Sequence, residues 1–461
     1  MTETNSSNEI NEPTERFKGN DFPPAASDRP PLVLISGAGI AGLFLGILLE
    51  KANIPYQIYE RGVSTTPIAD SIMSLGGNIL PAIEQLGLYE DLLKISYPSN
   101  GMKFMNASLG LIGEFIRKDH SYFTGYDIRL FARPEFQDLL RSRIPPEKIH
   151  MSKKVMSFLQ NDQGVMIRLQ DGTCVHGDIL VGADGPNSAV RQHLFRDLEK
   201  YGKLPKSDAL KTPKGFICMV GITEPLDPEK CPGVEGPDTS ASLVVGDGAC
   251  PYSWALFNIP GNRIAWNVIA QINTDECKDV QLRCSEWASV TNEAMIKDVY
   301  DFKTNFGKLG DLIDKTPREK ISRVYLEDMI YDTWQYCRTV LVGDAAHKLL
   351  PSTGQGGVNA MQDAVILANC LYDLKPLSYE GIRVALSDYY DQRYRYAKLH
   401  YESSRMAAKL QFGHTKSERL LRHITFNLLP KIFLKKHTDP DTQYRPYVAF
   451  LPTPPIRETG N

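Results

Sequence analysis

Long apolar runs are missing from this chain. Nowhere do about 18 apolar residues follow one another, which excludes a membrane-spanning helix. An excess of either charge is missing too: 52 Lys and Arg stand against 55 Asp and Glu, a formal charge of −3. Without a basic footprint, no nucleic-acid partner is expected. Cysteine is sparse, and the eight (Cys174, Cys218, Cys231, Cys250, Cys277, Cys284, Cys337 and Cys370) never form a C-x-x-C pair. That removes zinc-ribbon and thioredoxin-type chemistry and leaves reduced, buried thiols in an intracellular protein, here expected to be cytoplasmic. No internal repeat is visible. Met1 to Pro30 is polar, lacks an apolar signal core, and reads as a disordered extension.

What remains is the balance of a soluble globular protein, 42% hydrophobic and 23% charged, over 461 residues. Such a length exceeds what one hydrophobic core organises, so more than one domain is expected. Leu32 to Ser36 is a short apolar run of the kind that forms a buried parallel strand, and Ile40 to Ala52 reads as an apolar helix. Pro55 to Glu60 is the next strand, completing a βαβ opening. Ile79 to Ile95 has helical periodicity with a turn at Gly87, and Arg133 to Ser142 opens a second helix on Pro134. Val155 to Val175 alternates around Asp171-Gly172 as a β-meander. From Tyr201 to Tyr331, strand-like pieces at Gly215 to Gly221, Ala241 to Val245 and Arg263 to Gln271 alternate with Pro/Gly/Asp loops, which predicts a domain on an antiparallel sheet. The buried-strand pattern returns at Thr339 to Val342, followed by helices over Asn359 to Leu374 and Tyr379 to about Leu410. Ile424 to Leu434, with Lys435 and Lys436 behind it, is a candidate for peripheral membrane contact; the competing reading is a surface helix packed on the body.

Three elements carry chemistry. The first is Gly37-Ala38-Gly39-Ile40-Ala41-Gly42, with Glu60 closing the following strand. A diphosphate needs backbone N–H donors at close approach, which side chains would prevent. Gly37 makes the tight turn, Gly39 admits the diphosphate to the helix N-terminus, Gly42 lets helix and strand pack, and Glu60 accepts from ribose hydroxyls. FAD and NAD sites share this geometry. The second element is Gly182 to Arg191, in which Asp184 and Asn187 suit a helix cap. The third, Gly343-Asp344-Ala345-Ala346-His347, runs through Gly354-Gln355-Gly356-Gly357 into a helix. Its acid at a strand end and its second glycine-rich helix start again suit an oxygen-rich ligand. His347 reads as a buried hydrogen-bonding residue, with a catalytic base as the alternative.

In this order and spacing the three elements resemble the class A flavoprotein monooxygenases, the fold typified by p-hydroxybenzoate hydroxylase. The third is especially specific, LVGDAAHKLLPSTGQGGVNAMQDAVILANCL resembling the family's flavin-ribitol motif. The overall look is closest to fungal secondary-metabolite monooxygenases and epoxidases. The resemblance implies an α/β fold: a Rossmann-like FAD-binding domain from residues 31–100, 128–200 and 336–375, a second α+β substrate domain on an antiparallel sheet from 101–127 and 201–335, and C-terminal helices with a tail over 376–461. It implies FAD contacts at Gly37, Gly39, Ala41, Gly42, Glu60, Arg61, Ala69, Arg133, Asp184, Asp344, Gly356 and Gly357, the last two near the flavin pole where negative charge collects on reduction. NADPH or NADH would be a transient co-substrate, and O2 would pass through a flavin C4a-hydroperoxide to an aromatic or terpenoid-like small molecule. Two departures stand out. Pro67 to Ile72 replaces a glycine-rich stretch near the ring, which brings Asp70 to the reacting side as a candidate base or proton relay, against its reading as an exposed turn carboxylate. Ile217 precedes Cys218 where some relatives carry a basic residue. Flavin halogenation, prenyl-chain reduction and non-catalytic redox sensing stay open, although Trp254 lacks the paired tryptophan of halogenases. Trp254, Phe257 and Trp266 are either pocket or core aromatics.

Overall fold

The structure, a computed structural model, describes residues 29–63, 71–116, 124–210, 215–236, 239–246, 250–271, 292–374, 377–413, 415–425, 444–454 and 457. The expected sites Ala69 and Asp70 lie outside the described residues, as do Cys277 and Cys284, most of the Met1 to Pro30 extension, and Ile424 to Leu434 beyond Thr425. No helix among the described residues is long and apolar enough to cross a membrane.

Val33–Ser36 is apolar almost throughout and buried at every residue, as a strand covered on both faces must be. It is central in a six-stranded sheet ordered Gln335–Tyr336, Thr339–Leu341, Ile179–Gly182, Val33–Ser36, Tyr56–Tyr59, Ile149–His150. All neighbours run parallel except the first pair. Parallel pairing brings the chain exits at Gly37, Glu60, Ala183 and Val342 to one edge of the sheet, where open α/β sheets bind ligands. The helix Ile40–Lys51 packs against this sheet and Gly356–Tyr372 packs beside that helix, buried residues covering most of the surface of each.

A second, nine-stranded sheet is ordered Ser322–Leu326, Phe216–Ile222, Arg263–Gln271, Tyr252–Ile259, Thr239–Val244, Tyr97–Met105, Arg129–Ala132, Ile72–Leu75, with Leu111–Ile116 beside Tyr97–Met105. It departs from expectation twice. One junction, Thr239–Val244 against Tyr97–Met105, is parallel, so the sheet is mixed. Ile72–Leu75 and Arg129–Ala132, expected within the cofactor part, form its far edge. Short strands of similar composition do not announce which sheet they join, because pairing is settled by contacts distant in sequence. The Val155 to Val175 meander forms as a three-stranded sheet of its own. Ile79 to Ile95 is two short helices, Leu80–Gln85 and Tyr89–Lys94, separated at Gly87, whose φ of +71° needs glycine.

Tyr379–Phe412 is the longest helix among the described residues, capped by the Ser378 side chain at one end and by left-handed Gly413 at the other. Its buried stripe (Ile382, Leu386, Tyr389, Arg393, Ala397, His400, Ser404, Ala408, Gln411) keeps the three-and-four spacing of one helix face along most of its length. The first half of that face covers Gly356–Tyr372, and the second half reaches over the large sheet.

Nothing in the sequence signals that the expected tail, which lacks periodicity, is held tightly to the body. Gln85 exchanges two hydrogen bonds with the Val448 backbone (3.0 and 2.8 Å), and Asn369 bonds the backbones of Tyr447 and Ala449 (2.9 Å each). Val448 itself is fully buried. Removing residues 444–461 is expected to cost about 6 kcal/mol, from one buried valine at about 2 and the four hydrogen bonds to Gln85 and Asn369 at about 1 each. A denaturant unfolding midpoint checks this, and an unchanged midpoint would refute it.

Candidate functional site

The three glycines of the first turn stand for different reasons. Gly37 has φ +105°, and a Cβ there would collide with the Ala183 carbonyl; a Cβ on Gly42 would collide with the Gly37 carbonyl oxygen. Both are demanded by the polypeptide. Gly39 is not, because an added Cβ meets nothing within 4 Å and its φ of −76° suits any residue. It opens onto a cavity, which is the arrangement expected where a ligand approaches the backbone. The helix Ile40–Lys51 has no side-chain cap and no acid in its first turn, so its amides remain available to an anion.

Gly356 repeats this arrangement on the opposite flank. It begins the helix Gly356–Tyr372, again with no capping side chain and no acid in the first turn, and a Cβ there would meet nothing within 4 Å. Gly357 packs against the Met73 side chain, which ties this helix start to the edge of the large sheet. Gly354 enters at φ +69°. Both helix ends border one cavity of about 1440 Å³, larger than the roughly 300–1,000 Å³ of ordinary ligand pockets.

Of the expected residues, Gly37, Gly39, Ala41, Glu60, Arg61, Arg133, Asp184, Asp344, Gly356 and Gly357 all line this cavity, whereas Gly42 stands behind it. Glu60 accepts from Ala38 N through one oxygen and Gly62 N through the other, each 2.8 Å, leaving further lone pairs for hydroxyls. Arg133 opens the helix Arg133–Arg141, its N–H donating to Ser71 O at 2.8 Å. Asp344 sits in the turn Gly343–Ala345. Asp184 is occupied with its own helix: its carboxylate accepts from Ser188 Oγ (2.5 Å) and from the amides of Ala189 (2.8 Å) and Val190 (3.4 Å). Burial pushes the Asp184 carboxyl up, against those hydrogen bonds that pull it down. The capping reading therefore accounts for its geometry.

His347 does not line the cavity. Its Nε2 meets Asp363 Oδ2 at 2.6 Å, Trp334 lies against the ring at 5.0 Å, and the residue is 1% exposed. Asp363 also accepts from Gly343 N (2.8 Å) and from Arg393 Nε (2.8 Å), and Arg393 reaches Asn359 Oδ1 (2.9 Å). Burial alone would raise the Asp363 carboxyl, but the His347 and Arg393 side chains hold it below the ordinary carboxylate range. This cluster locks the Gly343–Ala345 turn to two helices.

Beyond the two helix ends the cavity is mostly apolar. The large sheet contributes Cys218, Val220, Leu243 and Phe257, and the long helix contributes Leu399, Met406 and Leu410 beside the polar His400 and Gln411; of these only Phe257 stood out in the sequence as a lining residue. Burial pushes the Cys218 thiol up to about 12, so it faces the cavity as a neutral group. Of the three aromatics in question, Phe257 and Trp266 border the cavity. Trp254 is core, with its indole N–H on Lys303 O (3.1 Å) and its ring 4.4 Å from Phe302.

These residues fit a dinucleotide carrying an extended ring. Two amide-rich helix ends suit a diphosphate and an electron-rich ring, and the buried Thr353 Oγ1, of a residue that borders the cavity, has no hydrogen-bond partner among the described residues. The chain matches the family described as FAD binding domain over residues 32–212 and 308–403. It is 28% identical over 441 residues to the FAD-dependent monooxygenase ausM of Aspergillus calidoustus, covering 92% of this chain and 89% of that one. It is 28% identical over 451 residues to the FAD-dependent monooxygenase atmM of Aspergillus flavus, covering 92% and 87%. In fold it is similar to Klebsiella pneumoniae HpxO complexed with FAD and uric acid (TM-score 0.71, 19% identity, 89% and 96% covered). A salicylate hydroxylase substrate complex is similar too (TM-score 0.66, 20% identity, 89% and 98% covered).

Proposed function

The chain belongs to the FAD binding domain family, and we infer that it is an FAD-dependent monooxygenase that uses NAD(P)H and O2 to hydroxylate or epoxidise an aromatic or terpenoid-like small molecule. The observation that carries the substrate reading is the continuity of the cavity: the space between the two open helix ends runs on over the apolar face of the large sheet. Oxygen activation and electron transfer are the chemistry that FAD supplies when bound. The chain's own part is to bind, orient and exclude water. In this reading the Gly39 helix start receives the diphosphate, Glu60 the adenosine ribose, Arg133 and Asp344 the chain between diphosphate and ring. The amides at Gly356 and Gly357 then face the ring where charge accumulates on reduction, and the apolar lining keeps water from the reacting atoms.

The test is ordered. Gently purified protein should be yellow and should consume NAD(P)H in an O2-dependent way, stimulated by an aromatic or terpenoid ligand and coupled to an oxygenated product by mass spectrometry. Protein that stays colourless and takes up no FAD would sink the reading; FAD without ligand-stimulated turnover would point to a sensor instead. Asp70, directly before the cavity-lining Ser71, is the proposed base or proton relay. Asp70→Asn should lower turnover by about 100-fold at equal FAD occupancy, the usual size of a general acid–base contribution. Unaltered kinetics would remove it from the mechanism. We also propose a cytoplasmic enzyme, which cysteines without a C-x-x-C pair support, with Ile424 to Leu434 as its candidate membrane contact; failure to sediment with liposomes would end the latter.

A further inference from the structure

Thr353 is not the only cavity residue with a stranded polar atom. Asn267 Oδ1 is likewise buried without a hydrogen-bond partner among the described residues, and it stands where the large sheet lines the cavity. Its surroundings make the oddity plain. In the ladder Asn267 lies between Val220 and Ala255, and along its own strand the residues on the same face are Ala265 and Ile269. All four are buried and apolar. A leucine, branched at the same carbon, would fill that place without the desolvation cost that an unpaired amide carries. The amide is therefore explained by a partner from outside the polypeptide.

We propose that Asn267 is the polar anchor of the substrate site, and that the substrate is an otherwise apolar molecule whose hydroxyl group donates to Asn267 Oδ1. A hydroxyl both donates and accepts, so it serves the carboxamide in either orientation. The direction of the bound molecule follows from packing. Val220, opposite Asn267, belongs to the same apolar cluster as Leu350, on the loop that leads through Gly354 to the Gly356 helix start. A molecule held at Asn267 thus extends over an apolar floor toward the cofactor end. The assignment rests on reading this cavity as a monooxygenase site.

The test compares FAD-loaded wild type and Asn267→Leu by titration with farnesol and its methyl ether, and with naphthol and its methyl ether, following flavin absorbance and fluorescence. The wild type should bind the hydroxyl member of a pair about ten-fold more tightly, the worth of one neutral hydrogen bond. In Asn267→Leu the preference should fall to parity, with FAD content and unfolding midpoint retained; Asn267→Ala gives the same readout should leucine disturb loading. Equal binding of alcohol and ether by the wild type, or a preference that survives in the variants, overturns the proposal, the amide then holding only a resident water. Loss of the monooxygenase reading looks different, since it would show in the wild type as failure to load FAD, or as FAD-loaded protein whose NAD(P)H and O2 consumption no ligand stimulates.

Discussion

Replacing Gly39 by valine is expected to weaken FAD binding by at least about 100-fold while the apoprotein stays folded. The separation of the two effects comes from the backbone. Gly39 has φ −76° and ψ −174°, open to any residue, and its Cβ direction is empty to 4 Å. A side chain there therefore costs the fold little, yet it occupies the approach to the uncapped amides at the start of Ile40–Lys51. Charge-assisted hydrogen bonds from such amides are worth about 1.5–3 kcal/mol each, so losing two accounts for the expected effect. Gly42→Ala should behave differently, lowering stability and FAD binding together, because its Cβ collides with the Gly37 carbonyl. Flavin absorbance after dialysis measures affinity, and thermal unfolding of both apoproteins measures the fold. A Gly39→Val protein that retains wild-type affinity would remove the diphosphate from this helix start.

The same glycines show how far the sequence could be read. Buried parallel strands announce themselves by continuous apolar runs, so Val33–Ser36, Ile179–Gly182 and Thr339–Leu341 were legible, and with them the edge at which three motifs converge. Local chemistry was legible too, such as the turn at Gly87 and the cap that Asp184 lends its helix. What depended on distant pairing was not. Ile72–Leu75 gives no sign that it edges the large sheet, nor the tail that Gln85 and Asn369 will hold it. Asn267 is one polar residue in an alternating strand, and only the ladder reveals that its four nearest same-face neighbours are apolar. For Asp184 the sequence left cap and cofactor contact open, and the geometry is that of a cap.

Arg393→Met should destabilise the protein by about 3–5 kcal/mol, the cost of stranding one member of a buried ion pair. Arg393 and Asp363 are both fully buried, and their 2.8 Å bond joins the longest helix to Gly356–Tyr372. Without the guanidinium, Asp363 keeps only the His347 ring and the Gly343 amide against the desolvation that pushes its carboxyl upward. The pH dependence has a definite sign. A carboxyl held below its unfolded value of about 4 contributes stability above that pH, lost as pH falls through the folded value. In Arg393→Met the Asp363 value should rise, so acid unfolding should begin at higher pH than in the wild type. Because Asp363 also holds Gly343, one residue from Asp344, FAD affinity should fall with stability, and added FAD should restore part of the unfolding midpoint by mass action. Coincident loss of both properties would show that this buried cluster, directly behind the cavity wall, sets the geometry of the turn that faces the cofactor; loss of stability alone would confine its role to packing two helices.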